Sequence, residues 1–270
     1  MPRSAAGIGV STCILASVTT PIAPERLARL RRTNVLLGLV HAAQGVAILA
    51  LGNGFALLVT GSFMDGPPGS GIGIPRTLFH VSFAIGVTAF LFISAAAHLA
   101  VASPWGSRRY AADLARNRND ARWIEYSISA SVMVVLIAML TGISDVAALG
   151  AIFGANAAMI LFGLIQERYE RPGGSLLPFW LGSMIGAVPW IVIGVYLLSP
   201  GLSAEPPGFV YAIYLSLFVF FNSFAVNMWL QYRRIGKWVD YLRGETVYAV
   251  LSLVAKSLLA WQVFAGTLAS

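Results

Sequence analysis

Apolar stretches of about twenty residues recur along the whole chain, separated by short polar connections. Wound as an α-helix rising 1.5 Å per residue, such a stretch crosses roughly 30 Å of hydrocarbon. In lipid every backbone N–H and C=O must be satisfied internally, which makes the helix the natural spanning form. Seven segments meet this condition, over 33–52, 76–101, 119–142, 145–166, 175–199, 208–232 and 245–268. The expected fold class is an all-α membrane protein, a seven-transmembrane helix bundle. Composition agrees: only 11% of the 270 residues are charged and 57% are hydrophobic, against about 25% charged in a soluble domain. No internal repeat is evident. The single cysteine, Cys13, excludes an intramolecular disulfide and a cysteine metal cluster.

The basic residues give the direction of threading. Arg3, Arg26, Arg29, Arg31 and Arg32 precede the first segment, and Arg108, Arg109, Arg116, Arg118 and Arg122 lie between the second and third. Arg168 and Arg171 lie between the fourth and fifth, and Arg233, Arg234, Lys237 and Arg243 between the sixth and seventh. Of the 18 Lys and Arg residues only Arg76 and Lys256 fall elsewhere. Basic loops stay in the cytoplasm. The expectation is a multi-pass cell-membrane protein with a cytoplasmic N-terminus and an extracellular C-terminus. This asymmetry accounts for the net charge of +7 without a nucleic-acid partner. Anionic membrane lipid, or an unknown cytoplasmic signalling protein, is the expected counterpart of the basic face.

Residues 5–18, AAGIGVSTCILASV, follow Arg3 and resemble a short signal-peptide core. Cleavage there would place the new N-terminus outside, but the arginines flanking the first segment weigh more. Residues 1–28 are therefore expected to be a disordered or leader segment, and 29–270 the membrane domain. The first outer loop, 52–75, combines a β-prone run, Phe55–Thr60, with the turn pairs Asp65-Gly66 and Pro67-Pro68. A small extracellular β-hairpin is expected, its apolar strand serving as an oligomer contact or as a packed cap over the bundle.

Ionisable residues inside spans are functional candidates, since each is costly and must face inward and pair. Here they are His41, His80, His98, Glu125 and Lys256. Counted from the flanking arginines, His41, His98 and Glu125 lie about 5–15 Å deep and Lys256 lies near the middle. Lys256 and Glu125 can pair if their helices face each other. His80, four residues past Arg76, is expected to be an interfacial or packed histidine. Ser252 precedes Lys256 by one turn, Ser129 follows Glu125 by one turn, Gln44 follows His41 by three, and Ser94 precedes His98 by four. Together these would make a polar pocket in the cytoplasmic half; the serines alone would serve as well for bonding between helices.

The pieces SLVAKS (252–257), RWIEYSIS (122–129), VHAAQG (40–45) and a GPPG-containing first outer loop, with this orientation, resemble heliorhodopsins from about Arg29 onward. The resemblance implies a rhodopsin-like bundle in which Lys256 carries retinal, all-trans in the dark, as a protonated Schiff base with Glu125 as counterion. It also implies His41 and His98 in a polar cavity with Gln44 and Ser94, Ser252 near the Schiff base, a homodimer assembled through the outer hairpin, and long-lived photointermediates, most members moving no ion. The chemistry is consistent, since a lysine condensed with an aldehyde sheds its solvated ammonium. A retinal slot needs apolar and aromatic walls. Candidates are Tyr126, Met133, Asn156, Trp190, Phe218, Phe221, Asn222 and Trp261, each of which would also suit ordinary packing. Pro178 and Pro189 are expected to kink the fifth segment.

Pumping rhodopsins carry a second proton-handling residue eleven positions after the counterion and usually a carboxylate four before the lysine. Here those positions hold Leu136 and Ser252. The expected function is therefore a light-sensing switch, with a light-driven proton transporter as the alternative. No HExxH, GxSxG or paired-carboxylate motif appears, which argues against an enzyme.

Overall fold

The computed structural model describes residues 22–71, 73–199 and 205–268. Most of the expected leader lies outside the described residues. Residues 24–28 are instead the start of the first helix, α1 (Pro24–Leu51), which begins nine residues before the expected boundary. Pro24 suits a first turn because its missing N–H has no partner to lose there. The arginines that had marked a boundary are held at the bundle's end: Arg26 pairs with Asp240 at 2.5 Å, and Arg31 Nε donates to the Ala102 carbonyl at 2.8 Å.

The second apolar segment divides in two. Its first part is a strand, β2 (Arg76–Ser82), antiparallel to β1 (Ala56–Gly61) with a bulge at Val59/Thr60. The helix α2 (Phe83–Ala102) starts only after Ser82, whose Oγ accepts from Ile85 N–H at 3.5 Å. The run RTLFHVS, rich in β-branched and aromatic residues, favours the strand. His80 consequently sits in the hairpin opposite Leu58, exposed; it is neither packed nor inside a span. Thr60 N–H donates to the Ser144 carbonyl at 2.8 Å, tying β1 to the turn that ends the third span. Val59 joins the core while Leu58, Leu78 and Phe79, the last directly across from Val59, stay exposed, so the hairpin packs on the bundle over only part of its surface.

A short helix, α3 (Gly106–Leu114), lies at the arginine-rich end, followed by α4 (Asp120–Leu140), α5 (Val146–Tyr169), α6 (Leu177–Leu198), α7 (Gly208–Tyr232) and α8 (Tyr241–Val263), which runs on through a π-turn to Leu268. Seven of these helices are long and apolar enough to cross a membrane, as a multi-pass protein requires. Asn119, Asp145 and Asp240 cap α4, α5 and α8 by accepting backbone N–H groups of their first turns. Pro178 falls in the first turn of α6, where it breaks no hydrogen bond and makes no kink; Pro189 is inside that helix.

The centre of the bundle is α4, which packs on α2, α5, α6 and α7. Two-thirds of its apolar stretch (67%) is buried, against 17–39% for the other six spans. A carboxylate on α4 is therefore held away from both lipid and water.

Candidate functional site

One stripe of α8 carries Glu245, Tyr248, Ser252 and Lys256, at helical spacings of three and four, and all are buried. The facing stripe of α4 carries Arg122, Glu125, Tyr126, Ser129 and Met133, also buried. Lys256 Nζ lies 2.7 Å from Glu125 Oε1, both side chains nearly closed to solvent. Ser94 Oγ on α2 donates to the same oxygen at 2.6 Å. The Tyr126 ring lies 4.9 Å from the ammonium, and its hydroxyl donates to the Tyr248 carbonyl at 3.1 Å. A lone buried charge would be strongly unfavourable here; a paired, hydrogen-bonded one is tolerated.

From Lys256 an apolar cavity of about 290 Å³ extends between α4, α5, α6 and α7. Of the expected lining residues, Tyr126, Met133, Trp190, Phe218, Phe221, Asn222 and Ser252 do line it. Trp190 is the hub, with edge-on contacts to Phe218 and Phe221 at ring separations of 5.5 and 5.2 Å. Two expectations fail. Asn156 points to α4, where its Nδ2 donates to Ser131 Oγ at 3.0 Å. Trp261, five residues after Lys256, is turned about 140° around the helix; it is 40% exposed and donates to Gln44 Oε1. Sequence reasoning missed the wall formed by Met159, Gly163, Gly182 and Gly186. The glycines there allow close helix approach: a Cβ on Gly182 would stand 2.8 Å from Phe162 Cβ.

On the other side of the ion pair His41 and His98 stack, with ring centroids 5.7 Å apart. His98 Nδ1 is 2.8 Å from Asn34 Oδ1, and both ring nitrogens of His41 are buried with no hydrogen-bond partner among the described residues. Ser94 joins this group through Glu125; Gln44 instead faces Trp261, so it does not complete the pocket. Ser129 is buried on Glu125's stripe, outside the cavity. Asn34, two turns before His41, was legible only as a polar residue in an apolar helix. Tyr110 on α3 reaches the same Asn34, and burial pushes its phenol above the ordinary range, keeping it neutral.

The largest omission is a buried ionic cluster. Arg122 pairs with both Glu167 of α5 and Glu245 of α8, its guanidinium 4.0 Å above the Tyr248 ring. Trp123 Nε1 donates to Glu167 at 2.7 Å and Asn119 Nδ2 to Glu245 at 2.8 Å. These residues lie at the ends of their segments, where a charge ordinarily reads as solvated.

Seven spanning helices around a buried lysine–carboxylate pair, which closes one end of an aromatic cavity, define a protein of the rhodopsin architecture. A light-driven proton pump from Leptosphaeria maculans shares this fold, with a TM-score of 0.58 and 15% identity over 91% of this chain and 96% of that one. The sequence matches the heliorhodopsin family model over residues 30–268, and the chain belongs to that family. Membership implies a retinal chromophore. No curated protein matches the sequence.

Proposed function

We propose that the chain is a light sensor whose retinal is held by Lys256 with Glu125 as counterion. The observation that carries this reading is the 2.7 Å contact between Lys256 Nζ and Glu125 Oε1 at the mouth of the apolar cavity. The residues fit the group. Lys256 supplies the amine, the Trp190–Phe218–Phe221 cluster supplies a flat apolar slot, and Glu125 supplies the charge that keeps the linked nitrogen protonated. Retinal, all-trans in the dark, supplies a polyene that light isomerises, its aldehyde carbon bonded to the Lys256 nitrogen with its oxygen lost as water.

Glu125 orients the nitrogen's N–H, and Ser94 fixes the carboxylate. Glu125 would be the nearest acceptor for a proton released at the Lys256 nitrogen. The His41–His98 stack beyond Glu125 offers further acceptors, because His41's nitrogens are unengaged among the described residues. Toward the opposite end the interior holds Met133, Leu136, Ile137, Phe83 and Phe90, with no buried ionisable side chain among the described residues. One-sided polarity favours proton storage over net transfer. We place the arginine-rich end in the cytoplasm. We also propose a homodimer, supported by Phe63, Met64, Ile74 and Phe79, which remain exposed in and around the hairpin.

The test is reconstitution of the full chain with all-trans retinal. A visible band that hydroxylamine bleaches and Lys256→Ala abolishes is expected. A colourless wild-type product overturns the reading. Sustained light-driven acidification or alkalinisation in sealed vesicles would establish the transporter alternative instead.

A further inference from the structure

At the arginine-rich end, α3 and the turn after it stand beside the start of α4 and the end of α5. An open groove of about 560 Å³ lies between them. Its charged walls are Arg109, Asp113, Arg116, Arg118, Asp120 and Arg168. Arg168 pairs with Asp120 at 2.7 Å, and Arg118 faces Asp113 at 3.8 Å. Arg109 and Arg116 have no carboxylate partner among the described residues, so positive charge is in excess.

Arg118 stands on the same wall. Its Nε is shielded from solvent and faces Asp113 Oδ1 at 3.8 Å, beyond hydrogen-bond length, so this ion pair is a loose one. Asn117, at φ 58°, makes the turn that brings Arg116 and Arg118 to the groove; asparagine tolerates this left-handed geometry better than most residues. The depth is marked by Trp105, 90% exposed just before α3, and Tyr169, 78% exposed at the end of α5. Exposed Trp and Tyr at the ends of apolar spans sit among lipid headgroups, so the groove opens at the level of the lipid phosphates.

We infer that this groove binds the phosphate of an anionic phospholipid headgroup. Arg109 and Arg116 present planar guanidinium forks that match phosphate oxygens. The bound lipid spans α3, α4 and α5, tying the amphipathic helix to the bundle.

The test uses the full chain in nanodiscs of phosphatidylcholine with phosphatidylglycerol, with retained lipid counted by native mass spectrometry after extraction. Arg109→Gln/Arg116→Gln lowers phosphatidylglycerol retention roughly thirtyfold. Arg233→Gln/Arg234→Gln, which removes equal charge from the same end outside the groove, leaves retention within about twofold, because lipid that survives extraction is held by direct guanidinium–phosphate contacts. Equal loss in both variants, or no loss in either, overturns the site. Glycerol phosphate displacing the lipid at millimolar concentration would make this a soluble-phosphate site and also overturn the proposal. Should the glutamine variant misfold by circular dichroism, Arg109→Lys/Arg116→Lys decides the matter. It keeps the charge without the fork and retains several-fold less lipid; unchanged retention overturns the assignment.

Discussion

Ser94 on α2 donates a 2.6 Å hydrogen bond to Glu125 on α4, using the same carboxylate oxygen that faces Lys256. The serine therefore competes with the lysine nitrogen for one acceptor and lowers its basicity. Ser94→Ala removes a charge-assisted bond worth about 1.5–3 kcal/mol. The freed carboxylate takes the photoreleased proton more readily. Flash photolysis of the variant should show a larger population of the deprotonated intermediate, by about ten- to hundredfold in the transfer equilibrium.

Glu125→Gln deletes the counterion outright. Loss of an adjacent opposite charge disfavours the cationic nitrogen. The visible band should therefore disappear on alkalinisation at a pH about 1–3 units lower than in the wild type, and the dark band should move to the red. An unchanged spectrophotometric titration would mean that another group holds the charge.

Arg122 is the only cation shared by Glu167 and Glu245 among the described buried pairs. Arg122→Ala strands two buried carboxylates and should cost roughly 3–5 kcal/mol, read as a large drop in thermal unfolding temperature in detergent. Arg168→Ala breaks the neighbouring pair with Asp120, whose arginine side chain is 43% exposed. It should cost less than about 1 kcal/mol.

Gly163 packs directly on Trp123; a Cβ there would come within 2.4 Å of the indole ring. Trp123 lines the cavity and donates to Glu167, so it cannot retreat without cost. Gly163→Ala should destabilise by about 1–3 kcal/mol and shift the absorption maximum, while the same change at Gly150, where a Cβ meets nothing within 4 Å, should do neither.

The spans and the Lys256–Glu125 pair were legible because charge in an apolar run is rare enough to stand out against its neighbours. The hairpin's second strand was not: RTLFHVS places Leu, Phe and Val directly ahead of an apolar helix, and so short a run does not separate a strand from a helical turn. Glu167 and Glu245 were missed for the opposite reason, since acids at segment ends read as solvated until a buried arginine is seen between them. Trp261 and Asn156 failed on rotation about the helix axis. Hydropathy gives depth along a span, whereas facing depends on which neighbours the helix meets.

The apolar half of the bundle also acts as an electrical insulator. A membrane voltage falls across some 30 Å of low-dielectric material, and the proposed proton hop from Lys256 to Glu125 covers only 2.7 Å. Even aligned with the field, that hop would displace at most about a tenth of an elementary charge, worth about 0.2 kcal/mol at 100 mV. A light sensor of the kind proposed would report photons at nearly the same rate whether the cell is energised or depolarised.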